Sequence, residues 1–389
     1  MLPAIEDAPP VSHSRADTVA DVRAYVVEDP LPHPYGDANG FKHSRGALFV
    51  RLESAAGVVG WGDAHGVLAP LAAVVEGPLR AALTGLPVFG GDEATARLAR
   101  VAGGATRAVS AVETALWDLR ARSVGRPVHD LLGGANRTRV PAYAAGGYYG
   151  EQWDGDRLPA WAEQVAERGF GHLKMKIGGR PVAEDLARIR AVHAAVAGRV
   201  TVLVDANSAY DRTTARRVGR VLDELGVGWF EDPLPIWDLE GHRQLSQALD
   251  VAVGGAEQLT DVAAFATVLR AGAMDVVMPD LSVVGGLGAA WRVAVLGAAA
   301  GVVVAPHTWG TGLQQAANLH LLAAMSAGPH AGTLAVPMLE FDLGEFALRE
   351  AVLEQPLSVH PDGTVAVPTG PGLGVTVRES ALASTGGRR

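Results

Sequence analysis

Charged and imidazole side chains fall along this chain where chemistry could be done. Short apolar stretches run in turn into Lys174-Met175-Lys176, Asp205-Ala206-Asn207, Glu231-Asp232-Pro233, Glu257-Gln258, Asp280, His307-Thr308 and Glu340-Phe341-Asp342. A single acid after a strand usually caps the next helix. Seven such endings in succession ask for more, because capping requires neither a lysine pair nor a histidine. Asp205, Glu231 and Glu257 end three consecutive predicted strands, and 231 − 205 and 257 − 231 are both 26. Neighbouring strands lie about 4.8 Å apart, so the three carboxylates are expected to converge. Unneutralised, they would raise one another's pKa. Oxygen ligands without Cys or His favour Mg²⁺, with Mn²⁺ as a substitute; the other reading is an acidic cluster relieved by the lysines.

Lys174 and Lys176 are two apart, so a strand directs both to one face, here a barrel interior. Side by side they would depress each other's pKa, leaving Lys176 neutral enough to act as a base and Lys174 charged to hold a carboxylate. Otherwise the pair are salt-bridge partners of the acids. Asp280 and His307 fall on adjacent strands; a carboxylate beside an imidazole fixes its tautomer and raises its basicity. That supplies a second acid–base group across the pocket. Glu340, if protonated, can hydrogen-bond a substrate oxygen.

The elements that must position these groups follow from hydrophobic patterning. From about residue 138, eight candidate strands (140–144, 172–177, 200–205, 227–231, 251–257, 274–280, 302–307 and 334–340) alternate with seven candidate helices (159–168, 183–196, 213–225, 241–248, 261–271, 288–299 and 312–327). This predicts a parallel α/β barrel of the (β/α)7β type, with polar strand ends on one face. An open doubly wound sheet is the alternative. It usually carries a Gly-rich phosphate loop after its first strand, and AAGGYYGEQWDGD here lacks GxGxxG. Before the barrel, a strand over 18–28, a hairpin over 47–53 and 58–64 turning at 55–57, and a helix over 108–123 with Val109, Val112, Leu116 and Leu119 on one face give an α+β region. The expected organisation is a tail at 1–17, an α+β capping domain from 18–137 plus 341–380, and a barrel from 138–340.

Composition agrees. The 389 residues are 48% hydrophobic and 19% charged with 48 glycines, which suits a large core and excludes global disorder. The formal net charge of −9 and the lack of any Lys/Arg-rich run argue against nucleic acid. There are no cysteines, so disulfide and thiolate chemistry are excluded. The longest apolar run, 293–305, is 13 residues, shorter than a membrane span, and the first residues do not read as a signal peptide. The expectation is a soluble, cytoplasmic protein that acts on a small-molecule carboxylate, with neither nucleic acid nor membrane as partner.

With these residues in place, the chain resembles the enolase superfamily and, within it, the mandelate racemase-like group. The resemblance spans nearly the whole sequence through GWGDAH (60–65), ETALWDL (113–119), KMKIGG (174–179), DANSAY (205–210), FEDP (230–233), GGAEQ (254–258), PDLS (279–282), PHTWGTG (306–312) and PTGPGLGV (368–375). It implies Lys176 as base, Lys174 as its carboxylate-binding neighbour, Asp205, Glu231 and Glu257 as Mg²⁺ ligands, Asp280 with His307 as acid–base dyad, and Glu340 as electrophile. It also implies removal of a proton next to a carboxylate, and homo-oligomerisation. Muconate-lactonizing and dipeptide-epimerase members carry Lys where Asp280 stands, which argues against those groups. Two outcomes then share one residue set, racemisation (or epimerisation) and dehydration of an acid sugar. A polar loop read over 30–45, PLPHPYGDANGFKHSR, suits a hydroxyl-rich ligand and favours dehydration. His33 and Arg45 are its candidates for the substrate's distal end, with Asp63 and His65 on the adjacent loop and Asn207 beside the first acid. A catalytically inactive metal- or sugar-acid-binding barrel is the competing class; loss of activity with metal binding retained in Lys176 or His307 variants would separate the two.

Overall fold

The computed structural model describes residues 18–326 and 336–382, the side chains of 92–94 excepted. The expected tail at 1–17, the end of the expected helix at 327 and the start of the expected strand at 334–335 lie outside the described residues. Three antiparallel strands open the fold in the order β1 (Val19–Asp37), β2 (Gly40–Ser54) and β3 (Val59–Ala64). β2 and β3 turn at 55–57, as the sequence predicts. The segment 30–45 is not a loop. It is the far end of a long hairpin, with Pro30 opposite Ser44 and Tyr35 opposite Lys42. Its register shifts between Pro30 and Tyr35, where Pro32 and Pro34 cannot donate to the ladder, so the strand bulges there instead of ending.

Helix Thr106–Ser123 lies across this sheet and buries Val109, Val112, Leu116 and Leu119 against Val22, Leu48, Val50 and Leu52. Two glycines permit the approach. A Cβ on Gly62 would stand 2.1 Å from the Ala111 carbonyl oxygen, and one on Gly60 would stand 2.5 Å from that of Ala115.

The remainder is the expected barrel. Eight parallel strands, β4 (Arg139–Gly146), β5 (His172–Lys176), β6 (Thr201–Asp205), β7 (Trp229–Glu231), β8 (Ala252–Gly255), β9 (Val276–Val277), β10 (Val303–Val304) and β11 (Leu339–Asp342), are ordered β10-β9-β8-β7-β6-β5-β4-β11. Between β10 and β11 the Thr308 backbone N–H donates to Glu340 Oε2 at 3.0 Å. Tyr143, Leu203, Trp229, Val276 and Met278 fill the interior as a packed layer. Four barrel helices carry their own side-chain N-caps, and none is capped by a strand-end acid: Asp211 accepts from Thr214 N, Asp238 from Gly241 N, Asp261 from Ala264 N and Thr311 from Leu313 N. The strand-end acids are therefore not consumed as caps. After β11 the chain touches both parts. β12 (Thr364–Ala366) pairs antiparallel with β4, while Leu373 N donates to Asp118 Oδ1 on the long helix. No helix among the described residues is long and apolar enough to cross a membrane.

Candidate active site

Register brings the sequence-predicted residues together. Lys176 pairs with Asp205 across β5 and β6, and Asp205 with Glu231 across β6 and β7. Glu257 stands just past β8, beyond Gly255 and Ala256, both of which have positive φ. Alternation sends Lys174 and Lys176 inward and Met175 into the core behind them. Both lysines are buried. Lys174 Nζ donates to Glu231 Oε1 and Oε2 at 2.8 and 3.0 Å and lies 2.8 Å from Glu340 Oε1. Lys176 Nζ donates to Asp205 Oδ2.

These pairings reverse one expectation. Burial, the largest effect, works to lower the Lys176 pKa and Lys174 adds to that, yet Asp205, with Glu257 and Glu231 behind it, outweighs them and holds Lys176 well above an ordinary lysine. Lys174 is likewise pushed up against its burial, by Glu231 and Glu340. In this conformation both are ammonium groups. A like charge two residues away matters less than an opposite charge in hydrogen-bond contact. The carboxylates carry the complementary strain. Burial, followed by repulsion from Asp205, drives Glu231 well above the usual carboxylate range, and burial with repulsion from Glu257 does the same to Asp232.

Across the pocket, Asp280 and His307 form a parallel bridge between their strands. His307 Nδ1–H donates to Asp280 Oδ2 at 2.7 Å, while Nε2 faces Glu257 Oε2 at 3.0 Å and Glu340 Oε2 at 3.9 Å. Burial opposes protonation of His307, but Glu257, Glu340 and Asp280 raise its pKa well above that of free imidazole. Asp280 Oδ1 accepts from Ser282 N at 2.6 Å and Gln314 Nε2 at 2.8 Å. Sequence reasoning missed Gln314 and Asp232. Two adjacent glutamines near the start of the largely apolar helix Gly312–Ala324 were the available signal for the first.

The capping residues divide. Arg45 is a brace. It is 3% exposed, and its guanidinium donates to Asp342 Oδ2 at 2.6 Å, Tyr35 Oη at 2.9 Å and the Trp309 carbonyl at 2.6 Å, between the Trp309 and Phe346 rings. Its role as a contact for the distal end of a substrate does not match these surroundings. Inward alternation on β2 buries it where Asp342 is waiting. His33 stays on the rim, with Nδ1 2.7 Å from Glu345 Oε1. Asn207 is in the site: its backbone N–H donates to Asp205 Oδ1 at 2.8 Å, and its own Oδ1 is buried without a hydrogen-bond partner in the structure. Asp63 accepts from Thr311 Oγ1, and burial lifts its pKa to about 7. His65 faces Asp280 rather than a substrate's far end.

The donor chemistry suits Mg²⁺. Asp205, Glu231 and Glu257 offer hard carboxylate oxygens, burial and repulsion from Asp205 push the Glu231 pKa up, and Asn207 Oδ1 is unpartnered. Convergence on one point is not what the structure has: among the described residues no three His, Asp or Glu side chains are disposed to hold a metal ion. Each of the three acids is instead paired with a cation of the protein: Glu231 with Lys174, Asp205 with Lys176 and Glu257 with His307.

Comparison with known proteins agrees with this geometry. Residues 21–133 match the mandelate racemase / muconate lactonizing enzyme N-terminal domain, and residues 157–381 match the enolase C-terminal domain-like family. The chain is 34% identical to a D-galactarolactone cycloisomerase from Agrobacterium fabrum, over 94% of this chain and 97% of that one. It is 30% identical to an arabinonate dehydratase from Saccharolobus solfataricus, over 94% and 98%. A racemase from Streptomyces coelicolor with bound magnesium superposes with a TM-score of 0.82 at 28% identity, covering 94% of this chain and 99% of the other. A barrel with its capping domain, a lysine pair facing an Asp–His pair and these matches across both regions place the chain in the mandelate racemase/muconate lactonizing enzyme family, as an enzyme of the enolase superfamily.

Proposed function

We propose that the protein removes the proton α to the carboxylate of an acid sugar and eliminates the β-oxygen, giving a 2-keto-3-deoxy acid, with Mg²⁺ held by Asp205, Glu231 and Glu257. The observation that carries this is a buried lysine pair on β5 facing a buried Asp280–His307 pair across one pocket. Asp205, Glu231 and Glu257 would hold Mg²⁺, which when bound would supply stabilisation of the enediolate charge; Lys176 is free to act as the base where Asp205 is turned away from its Nζ. Lys176 Nζ takes the α-proton, and the C–H electron pair becomes the enediolate double bond. Lys174, ion-paired with Glu340, lies where it can hold the substrate carboxylate, and Glu340 can hydrogen-bond it when protonated. His307, kept protonated by its acidic neighbours, gives its proton to the departing β-oxygen as that C–O bond breaks. The resulting enol takes up a proton at C3 and becomes the keto acid. A general acid or base contributes roughly 10²–10⁴-fold, so preorganised charge must supply the rest.

The two curated relatives bear on substrate class. One is named for a lactone of an acid sugar and the other for an acid sugar. The same elimination expels water from an open-chain acid and a ring carboxylate from a lactone. The test is a screen of Mg²⁺-loaded protein against mono- and diacid sugars and their lactones, read as 2-keto acid. A keto product from one of them, abolished in Lys176→Met and His307→Asn, is the expected result. Exchange of the α-proton in D₂O without keto product would replace elimination by racemisation or epimerisation. Silence in both assays with Mg²⁺ binding intact would favour a binding protein.

A further inference from the structure

His65 belongs to the capping sheet, one residue past β3, yet its imidazole sits on the barrel's Asp280, 215 positions away in sequence. Nε2 lies 3.0 Å from Asp280 Oδ2, the same oxygen that accepts from His307 Nδ1. Arg107 lies against the ring, its Nη1 3.0 Å from Nδ1 and 3.3 Å from Nε2, and also donates to the His65 carbonyl at 3.4 Å. An ionised carboxylate only accepts, so Nε2, facing Asp280 Oδ2, must carry the proton. The result is a shared acceptor: His65 donates to Asp280, which also receives His307, and Arg107 packs against the His65 ring from behind.

The surroundings are shaped for this. The His65 side chain is only 13% exposed, and its ring meets Trp309 edge-on at 5.4 Å. Gly66 has φ +135°, and a Cβ there would come 2.9 Å from Arg107 Cδ, so the glycine leaves room for the arginine to lie along the loop. With Ser282 N and Gln314 Nε2 on Oδ1, four donors surround Asp280, and only His65 comes from the cap. A carboxylate partner of this kind orients the imidazole it holds, and outer partners are expected to matter almost as much as the group they orient.

We propose that His65, backed by Arg107, is a positioning residue that fixes Asp280 and thereby His307, so that the acid–base group on this wall is set correctly only when the cap is seated. The role rests on the function proposed above for His307, but its geometric part can be read without a substrate. Turnover comes first. His65→Ala is expected to lower kcat for the eliminated acid sugar roughly 10–100-fold. KM should stay within about threefold, as for a group acting only on the reacting step. His65→Gln, whose Nε2 can still donate to Asp280, should recover most of the loss. The low-field NMR signal of the His307 Nδ1–H, assigned by its absence in His307→Asn, gives the second readout. It should shift or broaden in His65→Ala and return in His65→Gln.

An unchanged signal with unchanged kcat in His65→Ala overturns the proposal. So does a His65→Gln protein as impaired as His65→Ala while both melt like the wild type. Should the wild type process no acid sugar, the proposed function fails, and the NMR comparison alone then decides the role of His65.

Discussion

Replacing Arg45 with methionine decides whether this arginine braces the fold or binds substrate. In the structure it ties the capping hairpin to the barrel through Asp342, Tyr35 Oη and the Trp309 carbonyl, fully buried. Removing one partner of a buried ion pair costs about 3–5 kcal/mol, mostly through the charge left behind. Here Asp342 would still receive Arg349 Nη1 at 3.0 Å, Tyr148 Oη at 3.0 Å and Gly344 N at 2.8 Å. The loss should therefore fall at the low end, about 3 kcal/mol. Asp342→Ala strands two buried guanidiniums and should cost more, about 5 kcal/mol. Urea unfolding followed by circular dichroism measures both. A distal-carboxylate contact predicts something else: a charge-assisted hydrogen bond is worth about 1.5–3 kcal/mol, or roughly a 10–150-fold rise in KM, with little change in stability. An Arg45→Met protein with unaltered unfolding and KM raised about tenfold or more would refute the brace.

Three other outcomes follow from the same structure. Asp205→Asn should weaken Mg²⁺ binding by at least about tenfold in calorimetric titration, and an unchanged affinity would remove Asp205 from the ligand set. Glu113 is buried beneath Trp117 Nε1–H and Gly288 N–H, and burial raises its pKa from 4.5 to about 7. The folded state therefore retains a proton that the unfolded chain releases, so stability falls as pH rises through that window. Relative to Glu113→Gln, the wild type should lose about 3 kcal/mol between about pH 4.5 and about pH 7.5 in parallel urea titrations, and parallel curves would show an unshifted carboxyl. Gly62→Ala would drive a Cβ into the Ala111 carbonyl, and should lower stability by about 1–3 kcal/mol in the same unfolding assay; a neutral result would mean the helix can shift off the sheet.

Strand ends were legible because burial is local information. Apolar runs closing on Lys176, Asp205, Glu231 and Asp280 mark a parallel strand reaching a polar face, and helix 106–123 announced its buried stripe by spacing. The far end of the first hairpin was not legible, since its prolines and polar residues read as a loop until the partner strand is known. Charge state was misread for a related reason. Sequence shows Lys174 two residues from Lys176, whereas the deciding Asp205 is 29 away and arrives only through β-sheet register. The roles of Arg45 and His65 were hidden in the same way, because their partners lie 297 and 215 positions off.

Those two long-range pairs, with a third, bear on what a capping domain does. Asp342 and Asp280 are barrel acids whose donors include cap side chains, Arg45 and His65, while Asp63 of the cap accepts from Thr311 of the barrel. Backbone pairing adds to this where Gly36 and Tyr149 bridge the hairpin to the loop after β4. Buried acids without donors are costly, so each part completes hydrogen bonding the other lacks. A cap that only covered the pocket would need no such exchange and could drift without chemical consequence. Here displacement of the cap strips a donor from the carboxylate that orients His307, so sealing the pocket and setting its acid–base group are one structural event.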